Sequence, residues 1–313
     1  MRAKPVIVVG HAALDHVYQI EAFPQRPTKL TAKTHVMSGG GMAANAAAAI
    51  ARLGGGAILW ARVGDDTAGH YIIDELVASG VDTRDVRRIA TSRSPTSVVI
   101  VDLQGERLII SEDDHDLPRT ADWLPLERIA LAGALLSDLT WLEGTMRAFE
   151  HARAHGVPTL LDVDLGSGPL LPMALPLTEY AIFSAPAFAQ FITGATTEER
   201  IQFLLESGAQ HAGVTLGAKG YVWANRAGEC GEVPAHQVSV VDTTGAGDAF
   251  HGAFALGLAA GLSDPSCAQL ATAVAGLSCR GLGARSALPD AAEVASVLDG
   301  TKAEEILAVL AQQ

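Results

Sequence analysis

Cysteine is scarce: Cys230, Cys267 and Cys279 are the three in the chain, and they form neither a metal-ligand spacing nor an even set for disulfides. Reduced thiols in a cytoplasm are the simplest reading. Basic stripes are missing as well, and the formal charge is −13, so neither nucleic acid nor an anionic membrane is expected as a partner. No apolar run approaches the roughly 20 residues of a bilayer span. The opening Met1-Arg2-Ala3-Lys4-Pro5 leads straight into a Val/Ile strand, so no signal peptide or membrane segment is expected. Aromatic residues make up only 5%, which argues against a pocket that stacks a nucleobase. Finally, no Gly-x-Gly-x-x-Gly follows the first strand, which disfavours a dinucleotide dehydrogenase.

What is present is a long, apolar-rich chain of 313 residues, enough for a sizeable α/β core. Strand-like runs occur at 4–10, 57–63, 133–138, 158–162, 180–184 and 211–215, alternating with helical stretches. That rhythm predicts a mostly parallel central sheet with helices on both faces. Two pairs of short alternating segments interrupt it. The pair at 17–23 and 29–37 is broken by Pro24 and Pro27, and the pair at 97–103 and 106–111 turns about Gln104-Gly105. Together they predict a small inserted β sheet within the segments 13–37 and 92–112 of a single domain covering 1–313. A peripheral helix is expected at 304–310.

The stretch Asp242-Thr243-Thr244-Gly245-Ala246-Gly247-Asp248-Ala249-Phe250 organises the chain. The alternating run 236–241 reads as a strand before it, and Phe250, Phe254 and Leu258 mark one buried helix face after it. At such a junction the first helical N–H groups lack partners and the helix dipole favours an anion. Glycines there let a phosphate come close. A carboxylate inside an anion site, Asp248, suits the acceptance of a proton from an attacking hydroxyl while amides hold the phosphoryl oxygens. The ordinary alternative is a capped helix, with Thr244 as N-cap and Asp248 on the dipole.

Other candidates are weaker alone. Asp15 follows the first strand, where open α/β sheets bind ligands, though a turn-forming Asp is the plain alternative. Ser38-Gly39-Gly40-Gly41-Met42-Ala43-Ala44-Asn45 offers bare backbone and one amide, or merely a flexible turn. Gly64-Asp65-Asp66-Thr67 reads as turn and helix cap. Thr215-Leu216-Gly217-Ala218-Lys219-Gly220 gives small residues and a cation for a nucleotide phosphate, or a hairpin turn.

The 242–250 string resembles the second signature of the PfkB, or ribokinase-like, family of sugar and nucleoside kinases, and 38–45 resembles its first. The resemblance runs from the Asp15 strand to Cys279-Arg280-Gly281-Leu282-Gly283-Ala284. It implies a ribokinase-like fold with a β lid, and an ATP-dependent kinase that transfers the γ-phosphoryl to a primary hydroxyl of a sugar or sugar derivative. Asp248 would be the base, and Gly245, Ala246 and Gly247 the anion hole. Asp15, Gly39, Gly40 and Asn45 would bind the sugar, and Thr215, Gly217, Lys219 and Gly220 the nucleotide. A homodimer joined through the lid and a monovalent cation such as K+ near 279–284 are further implications.

The chain departs from the family where many members carry Asn-x-x-Glu to place Mg2+. Residues 184–188 hold neither. Asp162 and Asp164, in Leu-Asp-Val-Asp-Leu, are the candidate substitutes, or else two acidic turn residues. Segments such as 39–41 and 161–164 look most like the sulfofructose kinase branch. Its sulfonate-binding Arg corresponds to Thr140 here and an Asn of that pocket to Ser111, while Lys29 is retained. Loss of the guanidinium predicts a substrate without an anionic headgroup. An arginine from a lid loop, such as Arg26, or from a neighbouring subunit is the alternative source of charge. Competing readings are a nucleoside kinase and a non-catalytic sugar-binding homologue.

Overall fold

The computed structural model describes residues 4–112, 116–298 and 303–312. The strands in chain order are β1 (Val6–Gly10), β2 (Ala13–Gln19), β3 (Thr34–Gly40), β4 (Ala57–Gly64), β5 (Val86–Ile89), β6 (Thr96–Val101), β7 (Arg107–Glu112), β8 (Ala134–Ser137), β9 (Thr159–Val163), β10 (Tyr180–Ser184), β11 (His211–Thr215), β12 (Tyr221–Asn225) and β13 (Cys230–Val233). The helices are α1 (Met42–Arg52), α2 (Thr67–Ala78), α3 (Leu142–His155), α4 (Leu171–Ala174), α5 (Ala185–Phe191), α6 (Thr197–Glu206), α7 (Ala246–Ala259), α8 (Asp264–Ser278), α9 (Ala291–Ala295) and α10 (Ala303–Leu310). None among the described residues is long and apolar enough to cross a membrane.

β1 explains the layering. It is buried along its whole length, with Val6 and Val8 in one apolar cluster and Ile7 and Val9 in another. Side chains alternate between the faces of a strand, so a strand that is apolar at every position needs cover on both. α1, α2, α7 and α8 supply it on one face, and α3, α5 and α6 on the other. The sheet order is β13-β12-β11-β10-β9-β8-β1-β4-β5. β5 through β11 pair in parallel, while β12 and β13 close one edge antiparallel. Asp66 caps α2 by accepting from Gly69 N at 2.8 Å, as its spacing predicts.

The inserted sheet runs β3-β2-β6-β7, with β2 and β6 parallel. Its strands are shifted from the expected bounds. β2 runs from Ala13 to Gln19 and β3 starts only at Thr34, and Pro24 and Pro27 both fall in the irregular stretch between them, where no ladder needs their missing N–H. Asp15 therefore lies within β2 instead of in a loop beyond a strand. The second pair turns where Asp102 accepts from Gln104 N and Glu106 N, with Gly105 at a positive φ of 82°. Val17, Val99 and Val101 form the buried face, with Val36 and Leu282 against them. The other face carries Met37, Leu108 and Ile110, each about half exposed, beside a stack of Tyr18, His35 and His16.

The run 236–241 corrects the sequence reading: it forms no strand. It passes the end of α8, where Val241 N donates to Cys279 O at 2.9 Å. A loop carbonyl thus takes the donor that a neighbouring strand would have used.

Candidate active site

The chain enters α7 through a braced turn. Asp242 is buried; its Oδ1 accepts from Thr244 N (2.8 Å) and Thr244 Oγ1 (2.7 Å), and its Oδ2 from Gly283 N (2.8 Å). Thr244 is consequently spent on Asp242, and the N-cap is Gly245, at a left-handed φ of 76° with no side-chain cap. Any side chain at Gly245 would also run into Ala284. Gly247 differs. A Cβ there meets no atom within 4 Å, so this glycine borders open space at an uncapped helix N-terminus. Free amide donors and the helix dipole favour an anion at such a terminus.

Asp248 sits in the first turn of α7. Its Oδ2 accepts from Asn45 Nδ2 at 2.7 Å, joining α7 to the N-terminal turn of α1. Burial, with the neighbouring Asp162 carboxyl, raises its pKa to about 7, while the Asn45 bond and His251 pull the other way. A carboxylate of that basicity takes a hydroxyl proton more readily than an ordinary aspartate. Asn45 Oδ1 in turn accepts from Arg285 Nε at 2.8 Å. Arg285 also reaches Gly40 O (3.1 Å) and Glu75 (3.3 Å), and its side chain is 5% exposed. Neither Arg285 nor Glu75 stands out in the sequence. Their only early signal is that Arg285 extends the 279–284 loop by one residue.

Asp15 is a buried carboxyl on the lid side. Ser97 Oγ donates to it at 2.6 Å, and burial raises its pKa against the pull of Ser97 and Arg285. Gly40 and Gly39 are needed at their places: a Cβ on Gly40 would overlap the Asp15 carboxyl, and one on Gly39 the Arg285–Glu75 pair. Strand register aligns Ser38, Asp15, Ser97 and Ser111 side by side across the lid. Directly opposed residues share a face, so these polar groups form one row. It lies on the face of Val17, Val99 and Val101, where no aromatic side chain interrupts it. At the far end of the lid, Arg107 donates to Thr243 Oγ1 at 2.5 Å, so the hairpin rests on the organising motif.

Other candidates are placed less directly. Thr140 donates from both N (3.0 Å) and Oγ1 (2.7 Å) to Asp138, whose second oxygen accepts from His11 N and Ala43 N. Asp138, a residue the sequence did not single out, thereby ties β1 to α1. Lys29 is exposed in the irregular stretch between β2 and β3. Thr215 to Gly220 makes the turn from β11 to β12, with Gly217 and Lys219 exposed and Gly220 buried. The hairpin and the nucleotide readings are thus compatible.

Asp162 and Asp164 part company at the end of β9. Asp162 lies 3.2 Å from His251 Nδ1, which also donates to Gly247 O at 2.7 Å. Burial, with Asp164 and Asp138 nearby, pushes Asp162 well above the usual carboxylate range. Asp164 accepts from Ser184 Oγ (2.7 Å) and Leu165 N (2.8 Å). Among the described residues no three His, Cys, Asp or Glu side chains gather as metal ligands. One or two carboxylates with nucleotide phosphates and water are still enough for Mg2+.

A mostly parallel sheet covered on both faces and a β lid, with the likeness to solved ribokinases, define a ribokinase-fold phosphotransferase with a hydroxyl acceptor. The chain belongs to the pfkB family of carbohydrate kinases, whose model matches residues 3–291. It is similar to the ribokinase of Schizosaccharomyces pombe, 29% identical over 92% of this chain and 96% of that one. Among solved structures, a protein provisionally classed as a ribokinase from Agrobacterium tumefaciens is 33% identical, with a TM-score of 0.88 over 99% of this chain and 98% of that chain. Arabidopsis thaliana ribokinase, solved with ribose and ATP, is 26% identical, with a TM-score of 0.83 over 96% of this chain and all of that chain. These relatives carry ribokinase names, and the likeness to the sulfofructose kinase branch stays an expectation of the sequence.

Proposed function

We propose that this protein uses ATP to phosphorylate a primary hydroxyl of a neutral sugar. The observation that carries the reading is Asp248, a half-buried carboxyl with a pKa raised to about 7, held by Asn45 inside an uncapped helix N-terminus. The sugar lies under the lid against Ser38, Asp15, Ser97 and Ser111. Asp248 takes the proton of the attacking hydroxyl, and the amides from Gly245 to Gly247 stabilise charge on the γ-phosphoryl in flight. Thr215, Gly217, Lys219 and Gly220 border the nucleotide. Mg2+ would screen the phosphates, with Asp162 or Asp164 reaching it through water. A double Asp162→Asn, Asp164→Asn variant that kept both rate and magnesium dependence would remove that assignment.

Charge supports a neutral substrate. Arg285 is the buried guanidinium beside the sugar carboxyl Asp15, and Glu75 already balances it. Lys29 faces solvent. A sulfonate or phosphate headgroup would therefore be desolvated without a counter-charge. The row of hydroxyls also disfavours a nucleoside, because it offers a base no aromatic platform. The test is ADP release across a sugar panel, with and without magnesium, comparing kcat/KM for ribose, fructose, a deoxyketonate-type sugar acid and sulfofructose. A preference for sulfofructose would overturn the neutral-sugar reading. A monovalent cation near 279–284 and a dimer through the exposed lid face belong to the same proposal.

A further inference from the structure

We infer that Arg285 is a positioning residue for phosphoryl transfer, because it decides which end of the Asn45 amide faces Asp248. The inference rests on the reading of Asp248 as the base. An amide side chain has one accepting end and one donating end. Both ends of Asn45 are engaged: Oδ1 by Arg285 Nε at 2.8 Å and Nδ2 by Asp248 Oδ2 at 2.7 Å. A guanidinium only donates, so the end of Asn45 that meets it must be the oxygen, and the NH2 group is delivered to Asp248. With the guanidinium gone, the flipped amide becomes accessible, and it sets an oxygen against the carboxylate.

The same cation acts on the sugar side. Its Nη2 holds the Gly40 carbonyl at 3.1 Å, on the strand residue whose missing side chain leaves room for the Asp15 carboxyl. Three acceptors in different directions, on α1, on β3 and on α2, need a planar fork with several donors, which an ammonium on a flexible stem does not reproduce. Glu75 keeps the buried site near neutral, so the guanidinium is committed to geometry and not to an anionic ligand. Arg285 thus links the hydrogen-bond partner of the base to the backbone beside the sugar carboxyl, across 240 residues of sequence.

A double-mutant cycle tests this. Steady-state rates are measured for the wild type, Arg285→Met, Asn45→Ala and the double variant, with the sugar that turns over best. Arg285→Met is expected to lower kcat by about 10²-fold, the scale of a misplaced group at a reacting centre, while the KM for ATP holds. In the Asn45→Ala background it should lower kcat no further, any added loss through Gly40 falling on the KM for the sugar. Losses that multiply, or a wild-type kcat in Arg285→Met, would overturn the inference. Where circular dichroism shows Arg285→Met to be unfolded, Arg285→Lys takes its place in the cycle. That variant retains the charge opposite Glu75, so a purely ionic role predicts wild-type kcat and a positioning role predicts the same non-additive loss. The assignment of the base is checked apart: an active Asp248→Asn would break it whatever the cycle gives, whereas multiplying losses with an inactive Asp248→Asn break only the role of Arg285.

Discussion

The turn into α7 and the lid are built on opposite plans. At the turn, polar side chains meet partners brought from far along the chain: Asp242 is clamped by Gly283, Asp248 by Asn45, and Asn45 by Arg285. Across the lid, Asp15 and three serines are set in line by strand register, and the back of that sheet exposes Met37, Leu108 and Ile110. The first plan holds a carboxyl through a chain of hydrogen bonds; the second presents a row of polar groups on a sheet whose outer face is open to change. On the proposed reading, reaction type belongs to the body and sugar choice to the lid.

The sharpest way to break this contrast is Asp248→Asn. Turnover is expected to fall about 10²–10⁴-fold, the usual worth of a general base, with ATP affinity by calorimetry unchanged. For the wild type, kcat/KM should rise with pH through about 7 as Asp248 loses its proton. Stability should move the other way. The folded carboxyl keeps its proton up to about pH 7, whereas the unfolded one releases it near 3.8, so the contribution is full below 3.8 and is lost as pH rises to 7. Denaturant titrations should show Asp248→Asn flattening that decline; an unchanged slope would mean that the carboxyl is not desolvated.

Two glycines of the turn separate folding from ligand binding. Gly247→Ala points its methyl into open space, so melting should be unaltered while kcat falls by about 10²-fold through loss of phosphate contact. Gly245→Ala must hold a left-handed φ against Ala284, and it should cost about 1–2 kcal/mol of stability at least. Equal melting losses in the two would erase the distinction.

In the lid, Ser97→Ala strips Asp15 of its donor. The sugar KM is expected to rise roughly ten- to hundredfold, the range of a lost hydrogen bond to a charged group, with the ATP KM steady. A matching rise for ATP would show that the lid row also serves the nucleotide. The smallest effect is expected from Ile110→Asp on the outer lid face. It should shift sedimentation from dimer to monomer while leaving kcat within about threefold, since exposed substitutions change little else. A monomeric wild type would count against the interface.

Much of the body was legible because its signals are local. The all-apolar β1 and the Asp66 cap of α2 each follow from a few adjacent residues. The turn into α7 could be read in the same way, since Gly245 just before an apolar helical period marks a helix start. The lid bounds were less legible, because Pro24 and Pro27 say where pairing stops but not where it begins, and Asp15 passed for a loop residue.

The sequence alone determined the alternation of strands and helices, the presence of an inserted sheet and the carboxylate at a helix N-terminus, since periodicity, proline and glycine act over a handful of residues. Tertiary structure decided the rest. The run 236–241 has a strand's pattern and forms no strand, and the N–H of Val241 goes to the Cys279 carbonyl at the end of α8. Asn45 meets Asp248 across 203 residues, and Arg285 meets Asn45 across 240. No local rule sets such a meeting, because the cost of burying each group is met by whatever partner the packed core brings within hydrogen-bond reach.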